Sequence, residues 1–237
     1  MPEAKNEYEI LKNLDFSSIP KVEKLILDDE YFYSIICMQY SQVDNNVLQY
    51  VQEHGNLNEN DVKSAMKELF KALKYIHSLD YAHRDVKPDN VLIEVTPNDD
   101  EEGVNKVELI LVDYNIAKKA KSYRVKQEDS KEEESQGKFR CNYLTHIASQ
   151  NSQAPELFKS GYYSESVDIW GAGLVMYTLI TGEKLKRGDE QIIKDQVSDI
   201  PALSETGKTL LLKMFSYEGE DRPTADEALN DEWFIDP

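Results

Sequence analysis

Residues 83–90 read HRDVKPDN. An aspartate (Asp85), a lysine (Lys87) and an asparagine (Asn90) follow one another closely, and Pro88 stiffens the chain between the last two. A second aspartate, Asp113, ends the apolar run VELILVD. Asn90 and Asp113 offer the hard oxygen ligands that suit Mg²⁺, which usually takes few protein ligands and completes its shell with phosphate oxygens. Asp85 is then free to accept a proton or orient a hydroxyl, and Lys87 is a point charge for a phosphate. Together they describe phosphoryl transfer, where catalysis is mostly positioning and charge neutralisation. Any one of these aspartates alone reads as a turn cap. The four residues as a set do not.

The surrounding pattern shows what must hold them. Upstream, Asn58 is a fair N-cap, and Val62, Ala65, Met66, Leu69, Leu73 and Ile76 keep one apolar face at helical spacing. Downstream, VLIEV and VELILVD flank an acidic turn and predict a β-hairpin. Further upstream, 7–14 has helical spacing, 22–27 and 31–38 read as paired strands, and 46–53 as a short helix. After the hairpin, 118–153 is polar and contains QEDSKEEESQG, a run without aliphatic or aromatic residues that predicts a mobile loop. SVDIWGAGLVMYTLITG is apolar nearly all round, as a buried helix is. Two more helices are predicted near 204–216 and 224–231, the second opened by a capping box of Thr224 and Glu227.

Composition narrows the setting. The 237 residues carry a net charge of −18, which speaks against a nucleic-acid surface and against anionic membranes. No apolar run is long enough to insert in a membrane, and the polar start MPEAKNEYEI does not resemble a secretory signal. Two cysteines, Cys37 and Cys141, make no disulfide framework, so a reducing, cytoplasmic location is expected.

The order of these motifs resembles the eukaryotic protein kinases, in their serine/threonine branch and nearest to the calcium/calmodulin-dependent group. HRDVKPDN is similar to the family's catalytic loop, DYN at 113–115 stands where the family has D-F-G, APE at 154–156 closes the activation segment, and DIWGAG and DRPTADEAL resemble landmarks of the large lobe. The resemblance implies an α+β fold, with a truncated small lobe over 1–40 and a mostly helical large lobe over 41–237. It makes Asp85 the catalytic base, Lys87 a phosphate contact, and Asn90 and Asp113 the Mg²⁺ ligands. It assigns ATP contacts to Met38, Gln39, Tyr40 and Leu92. It also implies an Arg222–Glu156 pair, an ion-pairing role for Glu7, and an internal column of Leu11, Val22, Tyr114 and His83 seated on Asp168.

The departures from the family matter as much. No G-x-G-x-x-G occurs in the chain, and the strand lysine that partners the family's glutamate is absent from it. Phe-Gly of D-F-G is Tyr114-Asn115, the Gly-Thr before A-P-E is Ala148-Ser149, and the acid of the hinge is Gln39. Ser130, Ser135, Thr145 and Ser149 are candidate phosphorylation sites, but phosphorylation is not expected to be the main switch. The first expectation is a catalytically impaired kinase-like module, a pseudokinase acting as a scaffold or subunit, with no cofactor. The alternative is an active serine/threonine kinase using Mg²⁺ and ATP, its nucleotide roof supplied by upstream sequence or a partner. A protein partner is expected along the sheet edge beside 22–27 and 31–38.

Overall fold

A computed structural model describes residues 2–28, 33–39, 43–97, 105–119, 123–124, 134–135, 139–140, 153–158, 162–186 and 188–235. Helix α1 (Pro2–Leu11) starts earlier than the helical spacing of 7–14 predicts, with proline in its first turn, where a missing N–H costs nothing. Strands β1 (Val22–Asp28) and β2 (Tyr33–Met38) pair antiparallel, Ile26 opposite Ile35 and Leu25 opposite Ile36. This small sheet lies beside α1 and leaves Ile26, Leu27 and Ile35 exposed.

Helix α2 (Val47–His54) opens with a capping box between Asn46 and Gln49 and buries Val47 and Val51. Helix α3 (Glu59–Ser78) is the longest element among the described residues. Asn58 caps it by accepting from the Asp61 N–H at 3.0 Å, and Glu59 and Asp61 place negative charge at its positive end. Its predicted stripe is fully buried, with Phe70 added.

Strand β3 (Tyr81–Ala82) follows, then the candidate loop, a 3₁₀ turn at Pro88–Asn90, and the hairpin β4 (Val91–Pro97) and β5 (Asn105–Leu111). Val91 pairs with Leu111 and Ile93 with Leu109, all four buried, while Leu92 and Ile110 face the other way. Main-chain bonds clasp the hairpin from outside: Leu111 N–H donates to Ser18 O and Ile93 N–H to Asn45 O, both at 2.9 Å.

Short ladders follow. β6 (Lys118–Lys119) pairs with β3, β7 (Tyr123–Arg124) with β8 (Glu134–Ser135), and β9 (Phe139–Arg140) with β10 (Tyr162–Tyr163). Most of the acidic run 127–137, expected to be mobile, lies outside the described residues, as do Ser130, Thr145, Ala148 and Ser149.

Helix α4 (Ser166–Thr181) is buried from Val167 to Ile180 and ends at Gly182, whose φ of 75° is the left-handed stop that glycine adopts without strain. Gly171 sits where α4 crosses the candidate loop. A Cβ there would collide with Val86 O and lie 2.7 Å from Val86 Cβ, so the helix approaches the loop only because the side chain is absent.

Helix α5 (Glu190–Ser198) was not foreseen. It buries only Ile193 and Val197, too sparse an apolar pattern to stand out, and its Asp189 cap carries the start. Helices α6 (Glu205–Met214) and α7 (Ala225–Leu229) occur where expected, the latter with its Thr224–Glu227 box formed. Trp233, fully buried near the end, donates its ring N–H to Glu59 at 2.6 Å and ties the close of the fold to the start of α3. Among the described residues, no helix is long and apolar enough to cross a membrane.

Candidate active site

The site begins with a buried carboxylate. Asp168, in the first turn of α4, has no exposed surface. Its oxygens accept the main-chain N–H of His83 at 2.8 Å and of Arg84 at 2.7 Å, and meet His77 Nε2 at 2.9 Å. Burial alone would raise its pKa. The His77 bond and charge and the Arg84 N–H overcome that and hold the carboxyl below its ordinary range. The grip fixes Arg84 at φ 69°, a left-handed backbone that costs a non-glycine residue about 1–2 kcal/mol.

The His83 ring is aimed by the same grip. Nε2 lies 3.0 Å from Val112 O, and Nδ1 accepts the Asp85 N–H at 3.3 Å, so the network assigns a neutral imidazole protonated on Nε2. Complete burial lowers the His83 pKa, against the charges of Asp168 and Asp85. The imidazole meets the Tyr114 ring edge-to-face, with centroids 4.6 Å apart and planes at 68°.

Next come the candidate residues of the HRDVKPDN loop. Lys87 Nζ lies 2.6 Å from Asp85 Oδ2. Asn90 Nδ2 donates to the same Oδ2 at 2.8 Å and to Asp85 O at 2.9 Å. Both amide hydrogens thus point at Asp85, and Asn90 Oδ1 accepts no hydrogen bond among the described residues. That oxygen is the hard ligand a Mg²⁺ site needs. Asn90 O also accepts the Val112 N–H at 3.0 Å, which brings the strand end carrying Asp113 alongside. The left-handed position in the DYN turn falls on Asp113, with φ 68°, and not on Asn115. Asp85, Lys87 and Asn90 are therefore one hydrogen-bonded set, and Asp113 follows one residue after a direct main-chain link to it.

Met38, Gln39 and Leu92 line a single cavity of about 470 Å³, together with Phe16, Ile19, Val43, Ile110 and Val112. Tyr40 lies outside the described residues. The 16–21 stretch that closes one side of this cavity was not singled out from the sequence, having no motif of its own.

Glu7 is half-buried, and its Oε1 accepts the Tyr114 N–H at 3.2 Å. Burial raises its pKa, the Tyr114 N–H lowers it, and the charge of Asp113 raises it further. Among the described residues no ammonium or guanidinium stands against it. By contrast Arg222, its side chain fully buried, forks onto Glu156 at 2.6 and 2.7 Å, donates to Ser216 O and Ser166 O, and stacks on Trp170 at 5.1 Å. The APE stretch is thereby pinned to α4. Leu11, Tyr114 and His83 are buried in the common core, with Val22 packed against it.

Comparison with known proteins agrees with this geometry. A family profile described as the protein kinase domain matches residues 2–234. Calcium-dependent protein kinase 5 of Plasmodium berghei is 27% identical, over 98% of this chain and 38% of that protein. Serine/threonine-protein kinase RAD53 of Saccharomyces cerevisiae is 26% identical, over 96% of this chain and 27% of its own length. The chain thus spans well under half of these relatives. The crystal structure of the Rad53 kinase domain and SCD2 superposes with a TM-score of 0.71 at 22% identity, covering 99% of this chain and 78% of that one. Its complex with AMPPNP gives 0.68 over 97% and 78%.

Two outcomes follow from the buried ring pair. The Tyr114 hydroxyl is buried with no partner among the described residues, and burial raises its pKa well above the ordinary value. Tyr114→Phe removes that desolvated group, and urea unfolding is expected to show a gain of about 1–2 kcal/mol. For His83, the folded pKa lies below the ordinary 6.5, so its stabilisation is complete above about pH 6.5. Below that the unfolded chain takes up a proton that the folded one refuses, and stability falls. The thermal midpoint is expected to drop between about pH 6.5 and 5 in the wild type and to drop less steeply in His83→Gln.

Proposed function

The chain belongs to the protein kinase family, and on that footing we propose that its 237 residues form a serine/threonine kinase-like module that transfers phosphate poorly by itself and works by binding. The observation that supports this is the charge around Asp113. Glu7 meets only the Tyr114 N–H there, without a cation among the described residues, while Lys87 is paired with Asp85 at 2.6 Å. An anionic nucleotide entering this site meets the carboxylates of Glu7 and Asp113 on a chain of net charge −18, and the lysine on the cavity wall, Lys21, is itself paired with Asp15 at 2.9 Å. Its binding face, on this reading, is the β1–β2 sheet, where Ile26 and Ile35 lie side by side and exposed. A cytoplasmic setting fits its two cysteines.

One observation favours a second reading, an active serine/threonine kinase whose missing cation comes from outside these residues. Asp85, Lys87 and Asn90 are already joined in one set. In that case a serine or threonine hydroxyl gives its proton to Asp85 as its oxygen bonds to the γ-phosphorus and the bond to ADP breaks. Lys87 offsets charge on the phosphoryl oxygens. Asn90 through Oδ1 and Asp113 through its carboxylate would hold Mg²⁺, which neutralises phosphate charge when bound.

Nucleotide titration separates the two. A site with all its cations that binds at tens of micromolar corresponds to about −6 kcal/mol. One charge-assisted contact contributes about 1.5–3 kcal/mol, so its absence brings the affinity to about millimolar. Calorimetry of the 237-residue chain with ATP and Mg²⁺ is expected to show no saturable binding below about 1 mM. A micromolar dissociation constant that Asp113→Asn abolishes would overturn the first reading in favour of the second.

The binding face has its own test. A complex recovered from the native source is expected to come apart in Ile35→Glu with the thermal midpoint unchanged. A strict monomer there would sink the sheet-face assignment.

A further inference from the structure

Residues 112–117, between β5 and β6, form neither helix nor strand, yet many of their main-chain polar groups are taken up. Val112 N–H goes to Asn90 O, and Val112 O meets His83 Nε2, both at 3.0 Å. Tyr114 N–H goes to Glu7 at 3.2 Å, and Tyr114 O accepts from Ala117 N–H at 3.1 Å. Ile116 O accepts from Arg84 Nε at 2.6 Å. The carbonyls of Asn115 and Ala117 both accept from Nδ2 of Asn6, at 3.0 and 3.1 Å.

We propose that Asn6 is a positioning residue for Asp113, its side-chain amide locking helix α1 onto the segment that carries that aspartate. The chemistry of the position supports this. An amide nitrogen bears two hydrogens, one for each carbonyl, where serine would offer one and aspartate would set oxygen against oxygen. Asn6 and Glu7 are consecutive on α1, and they take complementary groups of one turn: Glu7 an N–H, Asn6 two carbonyls. Asp113 needs such a hold because its left-handed backbone persists only where the surroundings over-determine it. The catalytic loop grips the segment from one side through His83 and Arg84, and α1 grips it from the other. A displacement of α1 therefore displaces Asp113. The inference rests on the reading of Asp113 as a metal ligand and adds the residue that places it.

The test uses the whole 237-residue chain with Asn6→Ala and Asn6→Asp. Amide exchange is followed at residues 114–118 and, as a reference, in α3. Manganese(II) binding is followed by electron paramagnetic resonance, with Asp113→Asn marking the signal that belongs to this site. Both variants are expected to exchange faster at 114–118 while α3 and the thermal midpoint stay unchanged, and Asn6→Ala to weaken the Asp113-dependent manganese binding about three- to tenfold. Unchanged exchange at 114–118 in both variants overturns the proposal. So does a rise there matched in α3, which would mark Asn6 as an ordinary contributor to stability. Manganese bound by neither the wild type nor the variants would remove the metal reading of Asp113. The exchange result would still decide whether Asn6 holds the segment.

Discussion

Asp168 lies in the first turn of a helix buried on nearly every side, and its two oxygens take the N–H groups of His83 and Arg84 and the ring of His77. A lone carboxylate there would be too costly to keep ionised, since burial withdraws water from it. It is tolerable only with every donor in place. The start of α4, the end of α3 and the first residues of the HRDVKPDN loop are for that reason obligatory neighbours. The left-handed turn at Arg84 and the inward aim of the His83 ring follow from the same bond set. Through His83 the constraint reaches Val112 and Tyr114, and so the turn that carries Asp113.

Charge is distributed unevenly across this frame. Where Arg222 meets Glu156, a fully buried guanidinium finds a fork of carboxylate oxygens, two carbonyls and an aromatic face, which together answer four of its five N–H donors. Around Asp113 the balance tips the other way, because Glu7 adds a second carboxyl whose held contact is a main-chain N–H. The first arrangement secures the architecture. The second leaves the side around Asp113 rich in oxygen ligands and poor in positive charge, which suits a metal ion better than a bare anion.

Much of the fold was legible along the chain. The stripe from Val62 to Ile76, the paired runs around Val91 and Leu111, the cap at Asn58 and the box at Thr224 each rest on residues close in the chain, which spacing encodes directly. Helix α5 escaped because two buried residues, Ile193 and Val197, are too few to set a period. The start of α1 was read late because its first turn is polar and carries no apolar repeat.

By itself the sequence determined which chemical groups the site contains, that Asp85, Lys87 and Asn90 share one short loop, and which family that loop resembles. It did so because those residues are neighbours in the chain and their types state their chemistry. Only the tertiary structure decided how they are arranged. It directed both amide hydrogens of Asn90 at Asp85, put Asp113 in the left-handed position, left the Tyr114 hydroxyl without a partner among the described residues, and set Asn6 on two carbonyls more than a hundred residues away. His77 and Asn6 carry no signal of their own, since a polar residue on a helix surface looks the same locally whether it meets water or a distant main chain. That choice depends on where separate elements come to rest against each other, which no local period records.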